Sequence, residues 1–225
     1  MIQLLVMAKA PVPGRVKTRL CPPCTPAGAA AIAAAALCDT LEVGTALPAV
    51  RRVLVADGTY AVPPGWVGVP QRGDGLAARL AHAFADTALP DVPSLLIGMD
   101  TPQVTAGLLR DAADLLVRHG TVLGPADDGG WWALGLREPG DASVLPGVPT
   151  STAETGARTW AALRNRGLRP ARLPRLRDVD TAADAVTVAA ACPPGRRFPK
   201  AVTRHLPGVG GPGRRPAGHR RRDVR

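Results

Sequence analysis

The chain reads as a single α/β domain with a mostly parallel central sheet and helices on both faces. Two observations predict this. Short apolar runs alternate with Ala- and Leu-rich helical stretches along the first 190 residues or so, the pattern of strands joined by crossover helices. The runs are apolar at consecutive positions, as in Val53-Leu54-Val55 and Leu95-Leu96-Ile97, which marks buried strands. A chain of 225 residues, 46% of them hydrophobic, is large enough to bury one such core.

Each element has its own signal. Residues 2–8 form the first strand, followed by a long loop over 9–24. Thr25 caps a helix that carries Pro26 at its first position and runs to about residue 43. Residues 52–56 form a second strand, and the Gly- and Pro-rich stretch 57–75 is loop. A helix over 76–87 sets Leu76, Leu80, Ala83 and Phe84 on one face. Residues 94–99 form a strand, and Thr105 caps a helix facing inward through Leu108, Leu109, Ala112, Leu115 and Leu116. Strands are predicted over 121–124 and 131–136. Ser151 and Glu154 make a capping box for a helix to about residue 166. A late strand covers 172–176, and Thr181 caps a last helix to residue 191.

The net charge of +10 is unevenly placed. Ten of the 28 Lys and Arg, and one of the 18 acids, follow residue 194. The domain is therefore assigned to residues 1–194, close to neutral. Residues 195–225 are a basic, Pro-, Gly- and Arg-rich tail expected to be largely disordered. The body is not a general polyanion binder; non-specific contact with nucleic acid is confined to the tail. No apolar stretch is long enough for a bilayer span. No leader pattern precedes the first strand, so a cytoplasmic location is expected. Cys21-Pro22-Pro23-Cys24 lacks the second pair that a zinc ribbon needs and reads as a loop stop. The four histidines show no ligand spacing.

Four motifs carry chemistry. The loop Lys9-Ala10-Pro11-Val12-Pro13-Gly14-Arg15-Val16-Lys17-Thr18-Arg19 follows the first strand. Lys9, Arg15, Lys17 and Arg19 can neutralise phosphate, and Gly14 allows close backbone approach. Asp100, in Gly98-Met99-Asp100-Thr101-Pro102, lies just past a strand's carboxyl end, where α/β sheets bind ligands. A hard cation such as Mg²⁺ takes one or two protein carboxylates plus phosphate oxygens, which makes Asp100 a candidate metal ligand. In Asp127-Asp128-Gly129-Gly130 one carboxylate faces the site as base or acceptor contact, or the four residues are a plain β-turn. In Asp178-Val179-Asp180-Thr181 the acids are helix-end charges, with Asp180 also in reach of a metal. Of Trp131 and Trp132, one belongs in the core, and the other either lines the acceptor or base pocket or packs in the core as well. Gln71 sits in a polar loop before a helix whose N-terminus faces an anion.

In this order the four motifs resemble the bacterial DUF2064 family, often called arsenosugar-biosynthesis-type glycosyltransferases. The likeness covers roughly residues 2–190. That family is similar to the wider GT-A nucleotide-diphospho-sugar transferase superfamily, which includes molybdopterin and phospholactate guanylyltransferases. The resemblance implies a single Rossmann-like GT-A domain with a nucleotide-sugar or NTP donor, a small-molecule acceptor and Mg²⁺ or Mn²⁺. It implies metal ligation by Asp100 and Asp180. Lys9, Gly14, Arg15, Lys17, Arg19, Gln71 and Gly98 would form the donor side. Gly129, Gly130 and Trp131 would form the acceptor pocket. Asp127 or Asp128 would act on the acceptor, with Lys17 stabilising developing charge. The expected activity is metal-dependent glycosyl transfer. The alternatives are nucleotidyl transfer with pyrophosphate release and non-catalytic nucleotide binding.

Overall fold

The computed structural model describes residues 1–206 and Gly208. Seven strands form one sheet in the order β3-β2-β1-β4-β6-β5-β7. They are β1 (Gln3–Lys9), β2 (Arg51–Asp57), β3 (Val67–Pro70), β4 (Ser94–Gly98), β5 (Thr121–Pro125), β6 (Trp131–Leu136) and β7 (Ala171–Arg172). Six run in one direction; β6 is antiparallel to both β4 and β5. The helices are α1 (Pro26–Thr45), α2 (Gly75–Thr87), α3 (Ala106–His119), α4 (Thr155–Asn165), α5 (Ala182–Ala191) and α6 (Arg197–His205).

Consecutive strand residues point to opposite faces, and both faces are buried. Leu4, Val6 and Ala8 of β1 pack with Ala33 and Leu37 of α1 and Leu109 and Leu116 of α3. Leu5 and Met7 pack on the other face with Leu80 and Phe84 of α2 and Leu163 of α4. The expected two-faced α/β layering holds. α1 has a second neighbour on its outer side, where Ile32 and Ala36 meet Val188 of α5 and Phe198 and Val202 of α6. This explains why α1 is apolar nearly all round. By length and composition it could cross a membrane, against the expectation that no stretch would, but most of it is buried inside the fold.

The threonine caps form as expected: Thr25 accepts from Gly28 N, Thr105 from Leu108 N and Thr181 from Asp184 N. The box at Ser151 and Glu154 does not. Ser151 adopts a left-handed φ of 61°, and α4 starts at Thr155, whose Oγ1 accepts from Thr152 N at 3.1 Å. The N–H of Gly156 donates to Gly129 O at 2.8 Å, so a neighbouring loop meets the need a capping box would have met. β3 lies within the stretch read as loop; it is a four-residue edge strand ending in Pro70. The strand expected over 172–176 shrinks to Ala171–Arg172 plus a bridge from Leu176 to Ala126, with Pro174 between them.

The domain does not stop at residue 194, and α5 is not the last helix. α6 buries Phe198 and Val202, and Leu206 follows them into the same cluster. Its start is held by Asp39 of α1, only 1% exposed. Asp39 Oδ1 accepts from Arg197 N at 3.0 Å and Oδ2 from Phe198 N at 2.8 Å. An acid at the centre of an Ala-rich helix thus caps another helix. Replacing Asp39 with alanine orphans two backbone donors and is expected to cost about 3 kcal/mol, with early proteolysis after residue 192. Asp39→Asn, which keeps one acceptor, should cost less. The rest of the expected disordered tail, beyond Leu206 and apart from Gly208, lies outside the described residues.

Candidate active site

The parallel strands β1, β2 and β4 deliver their carboxyl ends to one open cavity of about 680 Å³, the position expected of ligand sites in such sheets. The loop after β1, Asp57 after β2, Gln71 after β3 and Gly98–Thr101 after β4 form one side. The β5–β6 turn, residues 150–152 and residues 178–180 complete it.

Lys17 is the electrostatic centre. Its side chain is 10% exposed, with Nζ 2.9 Å from Asp100 Oδ1 and 3.5 Å from Asp180 Oδ1. The ammonium also donates to Val179 O. Burial alone would lower its pKa. The charges of Asp100, Asp180 and Asp178 outweigh that and hold it above the ordinary lysine value. Lys17 itself has left-handed backbone angles, φ 49° and ψ 41°. The phosphate clamp expected of Lys17 therefore meets an ammonium that already has three acceptors.

The segment 178–180 is pinned at its middle residue. Val179 N donates to Asp100 O at 2.9 Å, Val179 O receives Lys17, and the valine side chain is buried. Asp178 and Asp180, two apart, both line the cavity. One oxygen each from Asp128, Asp178 and Asp180 lie within 4.8 Å of one another. Burial, then the charge of Asp128, pushes the Asp178 carboxyl up to about 6. Three crowded carboxylates are an all-oxygen donor set that suits a hard divalent cation, so the residues fit Mg²⁺ or Mn²⁺. Asp180 was expected in this role; Asp178 had been read only as a helix-end charge. Asp100 is not in the triad. Its Oδ1 is buried and faces the Lys17 ammonium.

The β5–β6 turn separates its two acids. Asp127 turns out of the cavity to Arg177 at 3.0 Å. Asp128 lines the cavity, with Oδ1 accepting from Gly130 N at 2.7 Å. Neighbouring residues of a turn project differently, so of the two only Asp128 lines the cavity. Gly130 and Trp131 line the cavity, and Trp131 Nε1 donates to Thr159 at 3.2 Å. Trp132 is buried in the core and also borders the cavity. Gly129 is not on the wall; it packs beneath, against the start of α4.

Lys9, Arg15, Arg19, Gln71 and Gly98 line the cavity, whereas Gly14 stands outside it. Arg19 pairs with Asp180 at 3.0 Å. Lys9 and Arg15 are exposed and form no ion pair among the described residues. The sequence reading missed Asp57 and Arg79, which pair at 3.0 Å on the β2 side. The position of Asp57 at a strand's carboxyl end was the available signal.

Solved structures share this frame. A protein of Desulfovibrio desulfuricans G20, described as a "putative nucleotide-diphospho-sugar transferase", is 27% identical, with a TM-score of 0.75 over 84% of this chain and 87% of that one. Rv0371c of Mycobacterium tuberculosis H37Rv, solved with manganese, is 20% identical (TM-score 0.54; 83% and 97% covered). The 2-C-methyl-D-erythritol 4-phosphate cytidylyltransferase of Thermus thermophilus is 15% identical (TM-score 0.52; 84% and 98% covered). The fold is that of the nucleotide-diphospho-sugar transferase and nucleotidyltransferase class. Residues 31–152, more than half the chain, match DUF2064, described as an uncharacterized protein conserved in bacteria, and the chain belongs to that family. None of the curated proteins compared with it matches.

Proposed function

We propose that the protein is a metal-dependent glycosyltransferase that takes a nucleotide-sugar donor and a small-molecule acceptor. The observation that carries this reading is the convergence, in one cavity, of the triad Asp128, Asp178 and Asp180 with the open cations Lys9 and Arg15. The triad would hold Mg²⁺ or Mn²⁺, which would neutralise charge on a diphosphate leaving group. Lys9 and Arg15 bind the donor's phosphates, with Arg19 at the rim. Lys17 fixes Asp100, Asp180 and Val179 in place. Gly130, Trp131 and residues 150–152 shape the acceptor side, where Asp128 orients the acceptor hydroxyl. The 27% identity to the Desulfovibrio protein supports the sugar-nucleotide reading.

The test pairs a ligand panel with a triad variant. Sugar nucleotides and NTPs are screened by thermal shift with and without Mn²⁺ or Mg²⁺. Nucleoside diphosphate as product would support glycosyl transfer; pyrophosphate release would replace it with nucleotidyl transfer. Asp178→Asn is expected to weaken metal-dependent binding by at least about tenfold. The same change removes a charge that burial and Asp128 disfavour. In a chelator the variant should therefore melt no lower than the parent protein, and up to about 2–4 °C higher. Unchanged metal dependence would overturn the triad assignment.

A further inference from the structure

The cations on the cavity wall lie on one side of it. Among the described residues, all of them come from the loop after β1 (Lys9, Arg15, Lys17 and Arg19) or from α2 (Arg79). Arg79 is held on the β2 side by Asp57 at 3.0 Å and by Gly73 O at 3.2 Å. The opposite wall, built from residues 130–132, 150–152 and 155, carries no charged side chain, and Asp128 is the acid beside it. In the sheet β1 and β6 are two interstrand steps apart, about 10 Å. Cations engaged with a donor's phosphates over β1 are thus not free to neutralise a second anion at β6.

The cations that flank the uncharged wall in the chain are engaged elsewhere. Arg158 pairs with Glu154 at 2.6 Å, Arg175 donates to Ala126 O at 2.8 Å and Arg177 pairs with Asp127 at 3.0 Å. None of the three lines the cavity. The start of α4 does not replace them. Thr155 N donates to Thr152 O at 3.1 Å and Gly156 N to Gly129 O at 2.8 Å, so helical N–H groups that would hold an anion are spent. What the wall offers is the neutral hydroxyls of Thr150, Ser151 and Thr152.

Beneath, the cavity is apolar. It reaches Met7, Leu80 and Leu96, which share one core layer with Trp131. Gly98, the register partner of Met7, leaves room there: a Cβ on it would meet only Asp100 N, at 3.9 Å. Trp131 spends its Nε1 on Thr159, so its ring offers the cavity an apolar surface.

We infer that the acceptor is an uncharged hydroxyl compound with an apolar body packed against Trp131, and that a wall without a cation beside Asp128 rejects phosphorylated and carboxylated acceptors. This acceptor class rests on the donor reading above and separates the site from nucleotidyl transfer to a phosphorylated acceptor.

The experiment measures, by calorimetry, the affinity of phenyl β-D-glucoside, phenyl phosphate and glucose 6-phosphate. The protein is first saturated with Mn²⁺ and whichever of UDP, GDP, ADP, CDP and dTDP binds. The bound diphosphate occupies the donor's phosphate contacts, so a phosphate probe reports on the acceptor wall. Phenyl β-D-glucoside should bind at least about tenfold more tightly than either phosphate. Thr150→Lys, which puts a cation on the neutral wall, should raise phenyl phosphate affinity by at least about tenfold. Gly98→Val, whose side chain fills the apolar floor, should lose phenyl β-D-glucoside binding while the melting temperature is retained. A phosphate probe that bound as tightly as the glucoside would overturn the inference, and so would failure of all three probes to bind. If no nucleoside diphosphate bound with metal, the donor reading would fail, and the acceptor class with it. Metal-dependent nucleotide binding with the wrong order of probes would sink the acceptor class alone.

Discussion

Lys17→Met is expected to abolish turnover and to cost about 2 kcal/mol of stability, below the 3–5 kcal/mol typical of breaking a fully buried ion pair. The reduction follows from the partners, since Asp100 and Asp180 keep side-chain exposures of 43% and 38% and can be rehydrated. The catalytic loss has a different cause. Without the ammonium, Asp100, Asp178, Asp180 and the carbonyl of Val179 crowd together with nothing between them, and the segment bearing two triad acids loses its anchor. Lys17→Arg should not rescue. Three converging acceptors suit a compact ammonium with three rotatable protons, not a planar fork. The folded-state pKa of Lys17 is raised above 10.5, so its stabilisation is present throughout the neutral range. It is lost only as pH rises past the raised value. Chemical denaturation at neutral pH and single-turnover assays would check both halves. A Lys17→Met protein that turned over normally would return the loop to the status of an ordinary surface.

The fold was legible in proportion to how local its causes are. Continuous apolar runs gave β1, β2 and β4, and Thr25, Thr105 and Thr181 gave three helix starts, because a strand buried on both faces and an N-cap are written in adjacent residues. α6 was hidden because Phe198 and Val202 sit among Arg196, Arg197, Lys200 and Arg204, and composition averages out the apolar face. The clue lay far away, in Asp39, an acid in an otherwise apolar helix. The Ser151 box failed for a related reason: a distant loop takes the α4 N–H that a capping side chain would have taken.

Asp100, Asp128 and Asp180 could be singled out because strand ends and turns announce themselves, and all three line the cavity. What each one touches was not legible. Sequence showed four cations after β1 but not that Lys17 folds inward while Lys9 and Arg15 stay open. It showed two adjacent acids but not that Arg177, fifty positions on, draws Asp127 away. Nor did it show which end of the Gln71 amide is engaged, because that is set by the carbonyls of Ala8 and Val55.

Gly129→Ala is expected to be as damaging as removing a triad carboxylate, although Gly129 touches no ligand surface. Gly129 has φ +88°, and a Cβ there would lie 2.0 Å from Ala153 O and 2.6 Å from the same residue's carbonyl carbon. Both neighbours are backbone, so no side chain can swing aside. The opposing surface is equally tight: a Cβ on Gly156 would come within 2.6 Å of Gly130 O. The turn and the start of α4 must separate, breaking the Gly156 N to Gly129 O bond and carrying Asp128 away from Asp178 and Asp180. Strain and lost packing together should cost about 3 kcal/mol or more. Metal-dependent nucleotide affinity should fall by at least about tenfold. Gly140→Ala is the control: its Cβ would meet nothing within 4 Å, so melting temperature and affinity should stay unchanged. Titration of Mn²⁺ into both variants at matched folded fraction separates the two losses. If Gly129→Ala kept full metal affinity once folded, Asp128 would not belong to the cation site, and Asp178 and Asp180 would have to hold the ion without it.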